Sequence, residues 1–165
     1  MTTLQKSLDY LDQHGIRYAH TMHSPAYTAA EVAAAEHMPP HRMAKTIVCR
    51  GNDGYAMVVV PADSYVDLEQ LRTAIGIRNL CLAEESDLSV LFPHAELGSM
   101  PPLGTLFGLP VYLDQQMADQ PFIAFNAGTH RDVIHMRSGD FQYLIRPVVG
   151  EFCQPNYQTS ASFAK

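Results

Sequence analysis

Apolar residues recur along this chain at two spacings, which predict two kinds of element. Leu4, Leu8 and Leu11 recur at helical spacing, and Gly15 follows them as a natural helix stop. Residues 28–37 are rich in alanine and begin with a capping-box spacing, which also indicates a helix. The pattern predicts helices over residues 3–14, 28–37, 67–75, 84–91 and 138–145.

Short runs of β-branched and aromatic residues between glycine and proline turns predict the strands. Ile47, Val48 and Cys49 precede a Gly-Asn-Asp-Gly turn, and a second apolar run follows at residues 55–61, so these two strands should form an antiparallel hairpin. A second hairpin is expected around residues 126–128. The remaining strands are predicted at residues 17–22, 79–83, 109–114, 122–125 and 132–136.

The order of these elements predicts a mixed α/β fold of the α+β kind. Helices and strands follow one another without a strict β-α repeat, which favours a single domain with a mainly antiparallel, barrel-like sheet flanked by helices. We expect this domain to span residues 1–147. Residues 148–165 carry no periodic pattern and predict a loosely ordered C-terminal tail.

Composition narrows the class of protein. The 165 residues are 47% apolar, which predicts a packed core, and 17 acidic against 11 basic residues give a net charge of −6. An acidic chain is poorly suited to gripping nucleic acid over many phosphates, although Arg42, Lys45 and Arg50 could form a local basic site. No apolar stretch is long enough for a membrane span or the core of a signal peptide, which predicts a cytoplasmic protein with no membrane partner.

The cysteine and histidine spacings argue against a metal site. The three cysteines are far apart and form no CxxC pair, and no HExxH motif occurs among the eight histidines. His37 and His41 are four residues apart, but two prolines lie between them and break the helix that would align them. The nucleotide-binding motifs GxGxxG and GxxxxGK[ST] are also absent. We therefore expect neither a metal nor a cofactor.

Two segments could bring chemistry to the predicted strand that begins at Lys45. The loop of residues 98–104 has glycines at both ends and two prolines between, so the backbone amides of Ser99, Met100 and Leu103 would point in fixed directions, as an anion pocket requires. Residues 125–130 offer an amide, a hydroxyl and the His130 imidazole at a hairpin end. Simpler interpretations remain open: a surface lysine, a rigid connector, and an ordinary turn beside a surface histidine.

Three segments, taken in order, resemble one known family: residues 44–48 (Ala-Lys-Thr-Ile-Val), the loop of residues 98–104, and residues 125–128 (Phe-Asn-Ala-Gly). They resemble the YbaK-type aminoacyl-tRNA deacylases, whose domain is also inserted in bacterial prolyl-tRNA synthetases as an editing module. The resemblance runs over roughly residues 20–147. It implies hydrolysis of the ester that joins a wrong, small amino acid to the 3′ end of a tRNA, without a metal and without a covalent enzyme intermediate.

The resemblance also implies roles for individual residues. A lysine in the position of Lys45 is the residue on which activity in that family depends most, and His130 is the second catalytic candidate. The implied substrate-binding residues are Thr46, Gly98, Ser99, Met100, Pro101, Pro102, Leu103, Gly104, Asn126, Ala127 and Gly128. The implied partners are the acceptor end of an aminoacyl-tRNA and an aminoacyl-tRNA synthetase that delivers it. The protein itself is expected to be a monomer or a weak homodimer.

Two other functions fit the same residues. The first is a non-catalytic module of this fold that binds a small ligand or a protein partner, and the second is a hydrolase of another small ester. If the site holds an aminoacyl group, Met38, Met43, Met100 and the alanine-rich helix are candidates for its wall. The same methionines would serve equally well as core residues.

Overall fold

A computed structural model of the protein describes residues 1–156, which form six α-helices, two short 3-10 helices and ten strands. The α-helices are α1 (Thr3–Gln13), α2 (Ala29–Ala35), α3 (Leu68–Ile75), α4 (Glu85–Leu91), α5 (Gln115–Ala118) and α6 (Ser138–Ile145), and the 3-10 helices are Pro40–Arg42 and Gly104–Leu106. The strands are β1 (Tyr18–Met22), β2 (Ala44–Gly51), β3 (Gly54–Pro61), β4 (Ser64–Val66), β5 (Cys81–Leu82), β6 (Val111–Asp114), β7 (Phe122–Asn126), β8 (Asp132–Arg137), β9 (Val148–Gly150) and β10 (Cys153–Pro155).

The strands form three sheets that pack around a shared apolar core. The largest sheet has the order β5-β2-β3-β6-β9, the second β1-β8-β7, and the third consists of β10 and β4. Both predicted hairpins are present: β2 pairs with β3 from Ala44 opposite Pro61 to Gly51 opposite Gly54, and β7 pairs with β8. The largest group of buried apolar residues draws on both larger sheets and includes Val48, Leu113 and Phe125. The domain is therefore a mixed α/β unit, as the sequence predicts.

The barrel-like form predicted for the sheet is not confirmed, because residues 1–156 make three separate sheets and no closed barrel. Five strand pairs are antiparallel, while β3–β6 and β6–β9 are parallel. The parallel pairs join strands that are separated by helices, and such long connections allow a strand to return in the same direction. The antiparallel pairs within the two predicted hairpins are joined by short turns.

The loosely ordered tail predicted from residue 148 is wrong for residues 148–155. Strand β9 pairs with β6, and β10 pairs with β4. Between them the side chain of Phe152 is buried, and its amide donates to the carboxylate of Asp114 at 2.8 Å. Burial of one aromatic ring fixes this segment although it has no periodic pattern. The rest of the predicted tail, residues 157–165, lies outside the described part of the chain.

One contact between the two larger sheets positions the candidate site. Met43, just before β2, forms an isolated parallel bridge with Ala124 of β7. Both side chains are buried. Lys45 lies two residues after Met43, and Asn126 lies two residues after Ala124. The bridge therefore places two segments that are distant in sequence next to each other.

Candidate active site

A cavity of about 350 Å³ lies where β2, the start of α2, the loop after α4 and the end of β7 meet. Five of the residues predicted for the site line it: Lys45, Thr46, Gly98, Met100 and Asn126. The cavity therefore brings together side chains or backbone from all three segments on which the predicted site depends.

Lys45 lines this cavity, and its ammonium is held by a neighbouring strand. The side chain is half-buried, and Nζ donates a hydrogen bond to the backbone carbonyl of Ser64 in β4. Burial lowers the pKa of Lys45 below its usual value, and the negative charge of Asp63 offsets part of that effect. A lysine ammonium has three N–H donors, so two remain for a bound ligand.

The loop of residues 98–104 is fixed by its own hydrogen bonds. The amide and the hydroxyl of Ser99 both donate to the carbonyl of Glu96, at 3.1 and 2.6 Å, so the Ser99 amide closes a turn and is not free for a ligand. The amides of Gly98 and Met100 make no backbone hydrogen bond within residues 1–156, and both residues line the cavity. Gly98 adopts a positive φ of 85°, a conformation that favours glycine.

The other predicted residues of this loop do not line the cavity. Ser99, Pro101, Pro102, Leu103 and Gly104 are all buried. Leu103 belongs to the main core, and a Cβ on Gly104 would lie 2.4 Å from the carbonyl oxygen of Leu109. These residues anchor the loop, and the part that reaches the cavity is limited to Gly98 and Met100.

The turn after β7 is tied to this loop by two backbone bonds. The Gly128 amide donates to the Ser99 carbonyl at 2.8 Å, and the Glu96 amide donates to the Gly128 carbonyl at 2.9 Å. Gly128 has a φ of 97°, and a Cβ there would lie 2.8 Å from Cβ of Thr3 in α1. Ala127 is fully buried in the core. Of the three residues predicted here, Asn126 lines the cavity, whereas Ala127 and Gly128 hold the turn in place.

His130 lies behind the cavity wall and does not line it. Its ring packs against the ring of Tyr27 at a centroid distance of 4.8 Å, and Nε2 lies 3.8 Å from the Glu96 carboxylate. The nearest approach to Gly98 is through Cε1, 3.8 Å from where a Cβ of that glycine would stand. Nδ1 is buried and has no hydrogen-bond partner within residues 1–156. The imidazole is therefore placed to support Tyr27 and the loop.

The beginning of α2, the alanine-rich helix that is a candidate for the wall, lines the cavity, together with Tyr27, which the sequence did not indicate. Tyr27, Thr28, Ala29 and Ala30 all line the cavity. The Thr28 hydroxyl accepts from the Glu31 amide at 3.1 Å, which confirms the predicted helix start. The run of small alanine residues was recognisable in the sequence, but nothing in it fixes which alanines face β2.

Two further predictions about the wall and its charges need correction. Met43 is fully buried in the core, and Met38 lines a different cavity together with Arg42. The predicted local basic site does not form as one cluster, because Arg50 lies at the far end of β2 and pairs with Asp87 at 3.3 Å. Lys45 is thus the one member of that predicted trio to line the candidate site.

Features elsewhere in the described chain add no competing chemistry. A surface groove of about 450 Å³ lies between residues 51–56 and 76–80, and none of the predicted site residues lines it. Within residues 1–156, no three His, Cys, Asp or Glu side chains come close enough to hold a metal ion. None of the helices in that range combines the length and apolar character needed to cross a membrane.

Comparison with known proteins identifies the class. Residues 23–144 match the family described as the aminoacyl-tRNA editing domain, which is most of the chain. The protein therefore belongs to the aminoacyl-tRNA editing domain family, and the resemblance seen in the sequence is confirmed.

Individual relatives add detail. The multifunctional Ser/Thr-tRNA deacylase ProXp-y of Escherichia coli strain K12 is 24% identical over 155 residues, which cover 91% of this chain and 92% of that protein. The proline–tRNA ligase of Thermosipho africanus is 30% identical over 77 residues, which cover 47% of this chain and 14% of the ligase. The aligned part is thus a small fraction of the ligase.

Solved structures share the fold. A proposed trans-editing enzyme for prolyl tRNA synthetase has a TM-score of 0.79 at 22% identity, and the match covers 93% of this chain and 98% of that chain. A hypothetical protein has a TM-score of 0.82 at 18% identity, covering 90% and 99%. At these identities the likeness shows the architecture and carries no function by itself.

Proposed function

We propose that this protein is an aminoacyl-tRNA deacylase that acts in trans and hydrolyses the ester of a tRNA charged with a wrong, small amino acid. The observation that carries the proposal is one cavity, in a chain of the editing-domain family, lined by Lys45, Gly98, Met100 and Asn126. The cation and the free loop amides are donors of the kind that ester hydrolysis requires.

The chemistry needs little beyond orientation and charge stabilisation, because an aminoacyl ester is already activated. In the proposed reaction, water adds to the ester carbonyl carbon. The Lys45 ammonium and the amides of Gly98 and Met100 stabilise the negative oxygen that develops. The carbon–oxygen bond to the ribose then breaks, and the leaving ribose oxygen takes the proton that the attacking water loses. The products are a free amino acid and an uncharged tRNA.

Lys45 has two possible roles that kinetics can separate. As a donor to the oxyanion, Lys45 would raise the rate at which the bound substrate is hydrolysed. As a ground-state contact to a phosphate or carbonyl, it would mainly tighten substrate binding. His130 does not line the cavity, so we assign it a positioning role through Tyr27 and Glu96.

The size of the cavity is the proposed source of selectivity. A volume of about 350 Å³ must hold the aminoacyl group and part of the terminal nucleotide. The wall includes Ala29, Ala30 and Met100, which leave room for a small side chain. Each additional methylene is worth only about 1–3 kcal/mol as favourable binding, so exclusion of larger side chains is the better device.

The proposed partners are the acceptor end of the tRNA and a synthetase that delivers it. With a net charge of −6, the protein should bind free tRNA weakly and with strong dependence on salt. Contact limited to the charged end of the tRNA fits this charge, because few phosphates are then involved.

The test is hydrolysis of a panel of mischarged tRNAs carrying alanine, serine, threonine or cysteine, alongside simple esters of the same amino acids. We expect loss of the ester from at least one tRNA and much slower loss from the simple esters. Equal hydrolysis of both would favour a general small-ester hydrolase. Binding without any hydrolysis would favour the non-catalytic module.

A further inference from the structure

Asn126 presents its side chain to the cavity from a fixed backbone. It is the last residue of β7, where it pairs with Val133 of β8, and the next amide, that of Ala127, donates to the Asp132 carbonyl at 3.0 Å. Strand pairing on one side and the turn on the other therefore hold the backbone of Asn126 beside the cavity that it lines with Lys45.

The side-chain oxygen of Asn126 lacks a partner. Oδ1 is buried and accepts no hydrogen bond within residues 1–156. Buried carbonyl oxygens without a donor destabilise a folded protein and are rare, so each one calls for a physical reason. Because Asn126 lines a cavity, a rotation of its side-chain amide would turn Oδ1 toward a bound group that supplies the missing donor.

The other polar groups of the cavity indicate which kind of donor is expected. The Lys45 ammonium and the Gly98 and Met100 amides only donate hydrogen bonds, the hydroxyls of Tyr27, Thr28 and Thr46 can donate or accept, and no carboxylate is among the lining residues. An aminoacyl ester presents two polar groups: a carbonyl, which needs donors, and an α-ammonium, which needs an acceptor. The donors suit the carbonyl, and the oxygen of Asn126, an acceptor of a lining residue that has no donor, suits the ammonium.

A neutral amide also suits this position better than a carboxylate would. A carboxylate in the same cavity as Lys45 would attract its ammonium and reduce the positive charge available to the ester oxygen. An asparagine accepts a hydrogen bond from a bound amine without neutralising the lysine.

We propose that Oδ1 of Asn126 binds the α-ammonium of the aminoacyl ester, and that the site is therefore selective for substrates whose amine is free. This inference rests on the proposed function and extends it, because it names the group of the substrate that the cavity recognises. Substrates with an acylated amine present an amide in place of the ammonium and lose this contact.

The experiment compares aminoacyl-tRNA with N-acetyl-aminoacyl-tRNA as substrates of the wild type and three variants. For the wild type we expect kcat/KM to be about 10- to 100-fold lower with the acetylated substrate, the range for one hydrogen bond to a charged group. Asn126→Leu, similar in size, should lose this preference and approach a ratio of one. Asn126→Asp should keep the preference even if its rate falls, because its carboxylate still accepts from an ammonium.

Controls separate recognition from folding. Tyr143→Ala, at an exposed position on α6, should behave as the wild type, and thermal unfolding should show that each variant is folded. If Asn126→Leu does not fold, Asn126→Ala, which also removes the acceptor, takes its place in the comparison. An unchanged ratio of free to acetylated substrate in Asn126→Leu, or a wild type that accepts both equally, would overturn the inference.

A binding measurement keeps this result distinct from failure of the proposed function. The probes are 3′-alanylamino-3′-deoxyadenosine, which has a stable amide in place of the ester, and its N-acetyl derivative, both titrated by calorimetry. Tighter binding of the free amine, abolished in Asn126→Leu, supports the inference even if no tRNA is hydrolysed. Hydrolysis of tRNA with no preference for the free amine supports the proposed function and rejects the inference.

Discussion

Replacement of Lys45 by methionine tests the centre of the proposed mechanism. Methionine retains an unbranched, apolar side chain against the cavity wall and removes the ammonium. In the proposed mechanism the ester oxygen has three donors: Lys45 and the amides of Gly98 and Met100. Loss of one such donor typically lowers kcat about 10²- to 10³-fold, which corresponds to about 2.7–4 kcal/mol of transition-state stabilisation.

The effect of this change on stability should be small. Lys45→Met removes the hydrogen bond to the Ser64 carbonyl, which is worth about 1.5–3 kcal/mol when the donor is charged. It also removes the penalty of holding a partly desolvated ammonium, which is the main cause of the lowered pKa of Lys45. The two effects oppose one another, so we expect the free energy of unfolding to change by about 1 kcal/mol or less.

The assay is single-turnover hydrolysis of labelled aminoacyl-tRNA with enzyme in excess, at several enzyme concentrations. A fall in the rate at saturation assigns Lys45 to the transition state, whereas weaker binding with an unchanged saturated rate assigns it to the ground state. Lys6→Met is the matched control, because Lys6 also donates to a backbone carbonyl, that of Leu106 at 3.2 Å, but does not line the cavity. A Lys45→Met enzyme within about threefold of the wild type in both the saturated rate and binding would refute the reasoning, since loss of one donor is expected to cost about 100-fold or more.

The pH dependence of stability and of ligand affinity provides a second test of Lys45. The folded-state pKa of Lys45 is lower than the unfolded one, so the unfolded chain binds more protons between the two values. Stability should therefore rise with pH through this alkaline window in the wild type, and Lys45→Met should lose that rise. Affinity for the amide-linked adenosine analogue should fall over the same window, because the ammonium loses its proton. Equal pH dependence of unfolding in both proteins, followed by thermal denaturation, would contradict this account.

Three further predictions concern the scaffold. Gly128→Ala should destabilise the protein by about 1–3 kcal/mol, because Gly128 combines a positive φ with a close approach to α1. A Cβ on Gly139 of helix α6 meets nothing within 4 Å, so Gly139→Ala should stabilise the protein by about 0.5–1 kcal/mol. Urea unfolding measures both changes. Asp114→Ala should cost about 2–3 kcal/mol in the same assay, since its buried carboxylate accepts two backbone amides. Cys49, whose pKa burial raises to about 11, should resist alkylation at neutral pH while half-buried Cys81 reacts first, as mass spectrometry of the labelled native protein would report. Equal labelling of the two thiols, or unchanged stability in either destabilising variant, would count against these assignments.

Local sequence patterns predict the helices and strands, whereas the arrangement of these elements depends on packing between distant parts of the chain. The capping residue Thr28 and the turn of residues 51–54 each depend on neighbours a few positions away, so the start of α2 and the β2–β3 hairpin followed from the sequence. The parallel pairing of β3 with β6, by contrast, joins segments that many residues separate. Phe152 illustrates the same limit, because one buried ring orders a segment whose sequence has no period.

For the candidate site, too, the motifs follow from local sequence, whereas the residues that reach the cavity depend on long-range packing. The motif around Lys45, the loop at Gly98 and the turn at Asn126 were predicted from sequence, and they do line one cavity. The sequence could not say which residues of each motif reach it. Leu103 and Gly104 share the loop with Gly98 but lie in the core, and this follows from where β6 passes, not from the loop itself.

The two backbone bonds between the loop and the turn explain why separate motifs behave as one site. The Gly128 amide and carbonyl are both used, one toward Ser99 and one from Glu96, so neither segment can shift without the other. This coupling fixes the Gly98 and Met100 amides relative to Asn126, while the Met43–Ala124 bridge fixes Asn126 relative to Lys45. In the proposed function, a rigid frame of this kind would position donors and an acceptor around a small acyl group before it binds, which is what electrostatic stabilisation of an oxyanion requires.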